Sequence, residues 1–346
     1  MNIVVRGTNW VGDAVMTIPA LRELRRIFPD SKITLHTRSW ANGIFQDADF
    51  IDEILTFERE KSAFKTVLAQ AKIWRENGFD LAVLFPNSFE SALLAKLGKV
   101  PVRFGYAKDG RSVFLTDAVK IPDWKNEKHE IFYYLNLVAE IEKKYFGTAM
   151  VLENEPRFEL KVSAERKAKA RKMLAENDVD LSKKIVAFVA GSTNSRAKRW
   201  LAESYAALND KIQTELNINV ILIGAKDELD VSLEVFEKSQ IKPIILTGKT
   251  NLEEATAILS ICDLLVSNDT GPAHIAAALE TKTLVIFGPT NPQTTRPLNA
   301  GIISQDVECS PCMLRDCPID HRCMTRISAQ EVFAKAKEEL STDKHR

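Results

Sequence analysis

The stretch Leu264-Leu265-Val266-Ser267-Asn268-Asp269-Thr270-Gly271-Pro272-Ala273-His274-Ile275-Ala276-Ala277-Ala278-Leu279 decides how the chain is read. Leu264 to Val266 is an apolar run of buried-strand type, and a small-residue helix follows from about Pro272. Between them lie a carboxylate, a hydroxyl and a glycine, on the turn where an α/β sheet presents its strand ends. Asp269 or Thr270 can cap the helix, Pro272 suits its first turn, and the freed N–H groups face outward. Such a helix start favours phosphate, because its dipole and unpaired donors attract negative charge. An ordinary capped strand-to-helix turn needs the same residues, so the surrounding chain must decide.

Working outward, strand and helix patterns alternate through the whole sequence. The first half has strand runs at Ile3–Arg6, Lys32–His36, 51–57 and Leu81–Phe85, with outer strands or loop segments at 102–106 and 114–119. Helical periodicity covers Asp13–Phe28, Ser62–Arg75, Ser88–Leu97 and about Glu127–Lys144. The pattern stops from Phe146 to Glu159, around Gly147, Asn154 and Pro156. The second half resumes it with strand runs at Ile185–Val189, Val220–Ile223, Ile244–Leu246, Leu264–Val266 and Thr283–Phe287, closing on a helix at Ala329–Leu340. Alternation of this kind predicts an α/β fold of two doubly wound, Rossmann-like domains, 1–150 and 151–340, facing each other across a cleft. A length of 346 residues suits two domains.

Composition narrows the function. The 47 basic and 47 acidic side chains cancel, which gives no overall nucleic-acid footprint. No run approaches a membrane span, and no signal peptide opens the chain. A cytoplasmic protein is expected, with peripheral membrane attachment left open.

The strand-end loops carry the chemistry. Gly7-Thr8-Asn9-Trp10-Val11-Gly12-Asp13-Ala14 has the glycine spacing of a P-loop, but Asp13-Ala14 stands where Lys-Ser/Thr is required. No glycine lies two residues after Gly7, so the dinucleotide fingerprint is absent as well. The loop instead places Asp13 at a helix start, as a dipole-stabilising residue or a general base. Gly191-Ser192-Thr193-Asn194-Ser195-Arg196-Ala197-Lys198-Arg199-Trp200 sets three cations before a helix, a place to hold phosphate. Gly224-Ala225-Lys226-Asp227-Glu228 offers carboxylates of the kind that take ribose hydroxyls. Gly288-Pro289-Thr290-Asn291-Pro292 ends the last strand of the set. One such loop is common; these last three together with the Asn268-Asp269-Thr270-Gly271 turn, four on one sheet edge, are not.

These residues resemble a family. Gly12-Asp13, Ala197-Lys198-Arg199-Trp200 and Asn268-Asp269-Thr270-Gly271 with His274 are similar to motifs of the ADP-heptose:lipopolysaccharide heptosyltransferases, glycosyltransferase family 9, of GT-B fold. Pro86-Asn87-Ser88-Phe89 with Ser91-Ala92-Leu93, Gly224-Ala225-Lys226-Asp227 and Phe287-Gly288-Pro289 point to its second-heptose branch. The resemblance implies an inverting transferase that moves L-glycero-D-manno-heptose from ADP-heptose to the first heptose of the lipopolysaccharide inner core at the membrane surface. It implies Asp13 as general base, and Lys198 with Thr270-Gly271 as stabilisers of the leaving diphosphate. Thr193, Glu228, Asp269, Thr270, Gly271 and His274 are then donor-binding, and Asn87, Ser88 and Arg111 acceptor-binding. Arg103, Lys108 and Lys125 are further cations for an anionic acceptor. The scheme needs no metal and no cofactor. It places the enzyme in the cytoplasm, with attachment to the inner face of the inner membrane left open. The alternatives are a first- or third-heptose transferase, another GT-B nucleotide-sugar enzyme such as an epimerase, or a non-catalytic nucleotide-binding module.

Two features stand outside this scheme. Cys309-x2-Cys312-x4-Cys317-x5-Cys323 has enough thiolates for a tetrahedral metal site, though its spacing is not a standard finger; free thiols or a disulfide are the other readings. Arg22, Arg25 and Arg26 form a basic face that could meet anionic lipid, although a solvated basic face is the ordinary reading.

Overall fold

Strand β1, Asn2–Arg6, is buried through Ile3, Val4 and Val5, as a strand covered on both faces must be. It pairs in parallel with β2 (Lys32–Arg38) on one side and with β4 (Leu81–Leu84) on the other; β3 (Glu53–Phe57), β5 (Val102–Tyr106) and β6 (Asp117–Val119) complete the sheet. The order is β3-β2-β1-β4-β5-β6. The second sheet is also all-parallel. Its strands are β7 (Ile185–Val189), β8 (Asn219–Leu222), β9 (Ile244–Ile245), β10 (Leu264–Asn268), β11 (Lys282–Phe287) and β12 (Gly301–Ser304), in the order β12-β11-β10-β7-β8-β9. Each is a doubly wound sheet of the Rossmann kind, and the pair defines a GT-B architecture. The computed structural model describes residues 1–342. The chain divides between Phe158 and Glu159 into two compact units.

In the first unit, the predicted helix Asp13–Phe28 is two helices, Val11–Met16 and Ile18–Ile27, broken at Thr17. Pro19 has no N–H to donate, so the ladder cannot run through, and the Thr17 hydroxyl takes up the Ala14 carbonyl at 2.6 Å. Arg22, Arg25 and Arg26 are not a bare basic face: they pair with Asp49, Asp52, and Glu23 and Glu142 respectively.

In the second unit, β10 runs two residues beyond its apolar core, with Ser267 and Asn268 fully buried in it. The edge strand β12 was not anticipated, because Gly301-Ile302-Ile303-Ser304 is short and follows a Pro- and Asn-rich loop. Helix Ala329–Ser341 buries Val332, Phe333, Ala336 and Leu340 in the same core as Trp200, Tyr205 and Phe188. At roughly 1.5–3 kcal/mol for each large apolar side chain, that face alone ties the helix to the unit.

Candidate active site

Both sheets change winding direction at their middle: between β1 and β4 in the first unit, and between β7 and β10 in the second. Loops leaving two such strands part from each other and open a crevice at the carboxyl end. The predicted site residues gather at these two places.

In the first unit the crevice is a cavity of about 190 Å³. The β1 loop lines it with Thr8, Asn9, Trp10 and Asp13; the β4 loop adds Phe85, Pro86 and Asn87; helix Glu130–Phe146 contributes Glu130, Tyr133 and Tyr134. Asp13 is the third residue of helix Val11–Met16, so its carboxylate stands in the first turn. Asn87 donates from Nδ2 to the Tyr133 hydroxyl at 3.0 Å. Tyr133 stacks on Tyr106 with ring centroids 3.9 Å apart. Burial pushes the Tyr133 phenol up to about 12, and burial with the nearby Asp13 charge raises Tyr134 as well. Both phenols therefore stay neutral and can donate beside the carboxylate. The tyrosines and Glu130 were missed because nothing in an Ile-Phe-Tyr-Tyr helical run distinguishes a cavity wall from core.

Three acceptor-side expectations change. Arg111 is fully buried rather than turned outward. Its guanidinium donates to the carbonyls of Tyr106 (2.8 Å), Pro86 and Ser88, and to the Ser91 hydroxyl, so it pins the β4 loop from beneath. Its charge is spent on backbone dipoles, and burial lowers its pKa to about 10. Arg103 is likewise buried against the Phe114, Val100 and Pro101 carbonyls. The Ser88 hydroxyl caps helix Phe89–Leu97, accepting from Ser91 N at 3.2 Å. Lys125 does reach the cavity wall: it pairs with Glu130 and lies 4.4 Å over the Tyr133 ring. Lys108 is exposed on a turn.

In the second unit the strand ends converge on Asp269, which is buried. Lys198 Nζ lies 2.7 Å from Asp269 Oδ2 and 3.2 Å from its carbonyl, and the Thr290 hydroxyl donates to the same Oδ2 at 2.7 Å. A cation is thus fixed beside the start of helix Gly271–Ala278. Neither expected cap is made there. Thr270 occupies the capping position, but its hydroxyl meets Ser267 Oγ (3.1 Å) and the Asn268 carbonyl (3.3 Å), while the Asp269 carboxylate is held by Lys198 and Thr290. His274 is buried one turn into the helix.

Asn268, the last residue of β10, joins these loops. Its Nδ2 donates to the Ala190 and Gly191 carbonyls (2.8 and 3.1 Å), and its Oδ1 accepts from Trp200 N (3.0 Å) and the Tyr205 hydroxyl (3.2 Å). A polar residue ending an apolar strand was the available signal. Thr193 and Glu228 also come together: Thr193 Oγ1 donates to Glu228 Oε1 at 3.4 Å, and Glu228 Oε2 accepts from Ala225 N at 3.0 Å. Gly191 admits this carboxylate, since a Cβ there would stand 2.4 Å from Glu228 Cδ. Burial raises the Glu228 pKa.

The cysteine loop braces the site. Arg315 O accepts from Ala197 N at 2.9 Å, Met313 N donates to Pro289 O at 2.8 Å, and Ser310 Oγ donates to Gly288 O at 2.6 Å. The four thiols are free, and among the described residues no three His, Cys, Asp or Glu side chains converge as metal ligands. The chain holds two Asp-x-Asp triplets, Asp47-Ala48-Asp49 and Asp178-Val179-Asp180. Asp49 pairs with Arg22 and Asp180 accepts from Ser182, so neither joins a strand-end site.

Two doubly wound sheets, each with polar groups at its switch point, are the GT-B arrangement of sugar transferases. The chain belongs to glycosyltransferase family 9 (heptosyltransferase), whose model matches residues 67–322. It is 27% identical to the lipooligosaccharide heptosyltransferase 2 of Campylobacter jejuni, over 97% of this chain and 98% of that one. It is 28% identical to the lipopolysaccharide heptosyltransferase 2 of Escherichia coli K12, over 86% of each. The structure of E. coli ADP-heptose lipopolysaccharide heptosyltransferase II superposes with a TM-score of 0.84 at 25% identity, covering 98% of both chains. The chain is accordingly a glycosyltransferase. Among its described residues no helix is long and apolar enough to cross a membrane.

Proposed function

We propose that the protein transfers L-glycero-D-manno-heptose from ADP-heptose to the first heptose of the lipopolysaccharide inner core, with inversion. The first unit binds the acceptor and the second the donor. Asp13 accepts the proton of the acceptor hydroxyl as that oxygen attacks the anomeric carbon. The leaving ADP is stable as an anion, so no second carboxylic acid is required. Lys198 and the start of helix Gly271–Ala278 stabilise the developing diphosphate charge. Asp269 contacts donor-sugar hydroxyls while orienting Lys198, and Thr193 with Glu228 takes the ribose. Asn87 meets the acceptor; Arg111 acts through the loop that carries Asn87. The scheme needs no metal.

The observation that carries the chemistry is Asp13, a first-turn carboxylate in the wall of a cavity at the switch point. The acceptor is lipid-linked, which calls for work at the cytoplasmic membrane surface, and among the described residues no helix is long and apolar enough to cross that membrane. The test is a transfer assay with ADP-heptose and inner-core acceptors that carry or lack the first heptose. Turnover confined to the heptose-bearing acceptor is expected. Transfer to the heptose-free acceptor would reassign the enzyme to the first heptose, and no turnover with either would reject the reading.

A further inference from the structure

Arg6, Arg38 and Phe57 are the last residues of three adjacent strands, β1, β2 and β3, and Arg38 pairs in register with Phe57. They stand on the same carboxyl edge as the Asp13 cavity, whose wall begins at Thr8, two residues after Arg6. Arg6 is 5% exposed. Its guanidinium lies 3.9 Å over the Phe57 ring, and that of Arg38 lies 5.7 Å from the same ring.

The partners of Arg6 are few for a buried cation. A guanidinium has five N–H donors. Among the described residues Arg6 makes one hydrogen bond, Nη1 to His36 Nδ1 at 3.4 Å, and no ion pair. His36 Nδ1 already accepts from Trp74 Nε1 at 2.9 Å, so the ring is a neutral tautomer with its proton on Nε2. It can balance no charge. Arg38 reaches Glu58 only at 3.6 Å, and its Nε is buried with no hydrogen-bond partner. Burial and the Arg38 charge both lower the Arg6 pKa, to about 10, against a partial opposing pull from Glu90. Two guanidinium groups held together, one desolvated and undersupplied with acceptors, are stabilised by an anion that accepts from both.

We propose that Arg6 and Arg38 form an anion-binding subsite that takes a carboxylate or phosphate group of the acceptor, beside the cavity where the acceptor hydroxyl reacts. This rests on the acceptor-binding reading of the first unit. The aromatic face of Phe57 and neutral His36 keep the guanidinium of Arg6 in place without neutralising it, which leaves its charge for the ligand.

The test compares the full-length wild type with Arg6→Gln and Arg38→Gln in steady-state transfer, varying acceptor and donor separately. Loss of one charge-assisted contact should raise the acceptor KM about ten- to a hundredfold while the donor KM stays within twofold. A dephosphorylated acceptor and one with its sugar-acid carboxyls reduced distinguish the source: the penalty of Arg6→Gln should vanish on the acceptor that lacks the bound group. An equal penalty on both stripped acceptors, or an unchanged acceptor KM, would overturn the subsite. A second measurement needs no turnover. With ADP saturating, inorganic phosphate should raise the wild-type melting temperature above that in chloride of equal ionic strength, and should do so less in Arg38→Gln, whose partly exposed site tolerates the change. No phosphate effect in the wild type would overturn the proposal even if transfer is normal. A phosphate effect without any heptose transfer would keep the subsite and reject the activity.

Discussion

Lys198 Nζ and Asp269 Oδ2 stand 2.7 Å apart, and the same oxygen receives the Thr290 hydroxyl. The lysine head is therefore fixed before any ligand arrives, which is what electrostatic stabilisation of a leaving group requires. Lys198→Ala should lower kcat about a hundred- to a thousandfold, as loss of one preorganised donor does elsewhere. It also strips a buried carboxylate of its cation, so stability should fall by about 1–3 kcal/mol. Thr290→Val removes only the hydroxyl and should have a smaller effect on kcat. Equal losses in the two variants would show that the lysine charge is not what matters.

Asp13→Asn keeps the size of the side chain and removes its basicity. Transfer should fall by two or more orders of magnitude, with ADP affinity by calorimetry unchanged, because ADP is assigned to the second unit. Retained transfer would remove Asp13 from the role of base. A loss of ADP binding of the same size would mean that the substitution acts on the donor site instead.

Asn268 predicts a stability effect without a contact to substrate. Asn268→Ala leaves the Ala190 and Gly191 carbonyls, Trp200 N and the Tyr205 hydroxyl without their shared partner. At about 1–3 kcal/mol for a buried group left unsatisfied, a loss of at least about 3 kcal/mol is expected in urea unfolding. Asn268→Asp keeps the two accepted bonds but turns a carboxylate oxygen towards two carbonyls, and should be no better tolerated. A midpoint within experimental error of the wild type would contradict the hub assignment.

These cases show which parts of the molecule were legible in its sequence. Strands such as Ile3–Val5 and Leu264–Val266 are apolar on both faces, a local property that any register preserves, so the sheets could be read directly. Asp13, Lys198 and Asp269 sit at strand ends, and position alone made them candidates. Arg111 could not be read that way: an arginine in a polar loop carries no mark of the three carbonyls that fold around it. The Tyr133 and Tyr134 wall depends on how helix Glu130–Phe146 docks, and docking is tertiary. The break at Thr17 is different, since Pro19 was in plain view and the apolar periodicity across it outweighed the missing donor.

Glu228 supplies a pH test. Burial raises its pKa in the folded state above the ordinary carboxylate value, despite the opposing hydrogen bond from Ala225 N. A raised folded-state pKa means that the native protein binds this proton more tightly than the unfolded chain does. Its contribution to stability is then fully present below the unfolded value, about 4.3, and is lost as pH rises through the folded one. Glu228→Gln cannot ionise, and its amide oxygen can still accept from Ala225 N. The wild type should thus lose stability relative to Glu228→Gln as pH climbs from about 4 towards neutrality, read as the difference between their urea midpoints. Above the folded pKa that difference should level off. A difference that is flat across the range would show that the carboxyl is not desolvated in the folded enzyme, and one of opposite slope would show that a cation, not burial, dominates its surroundings.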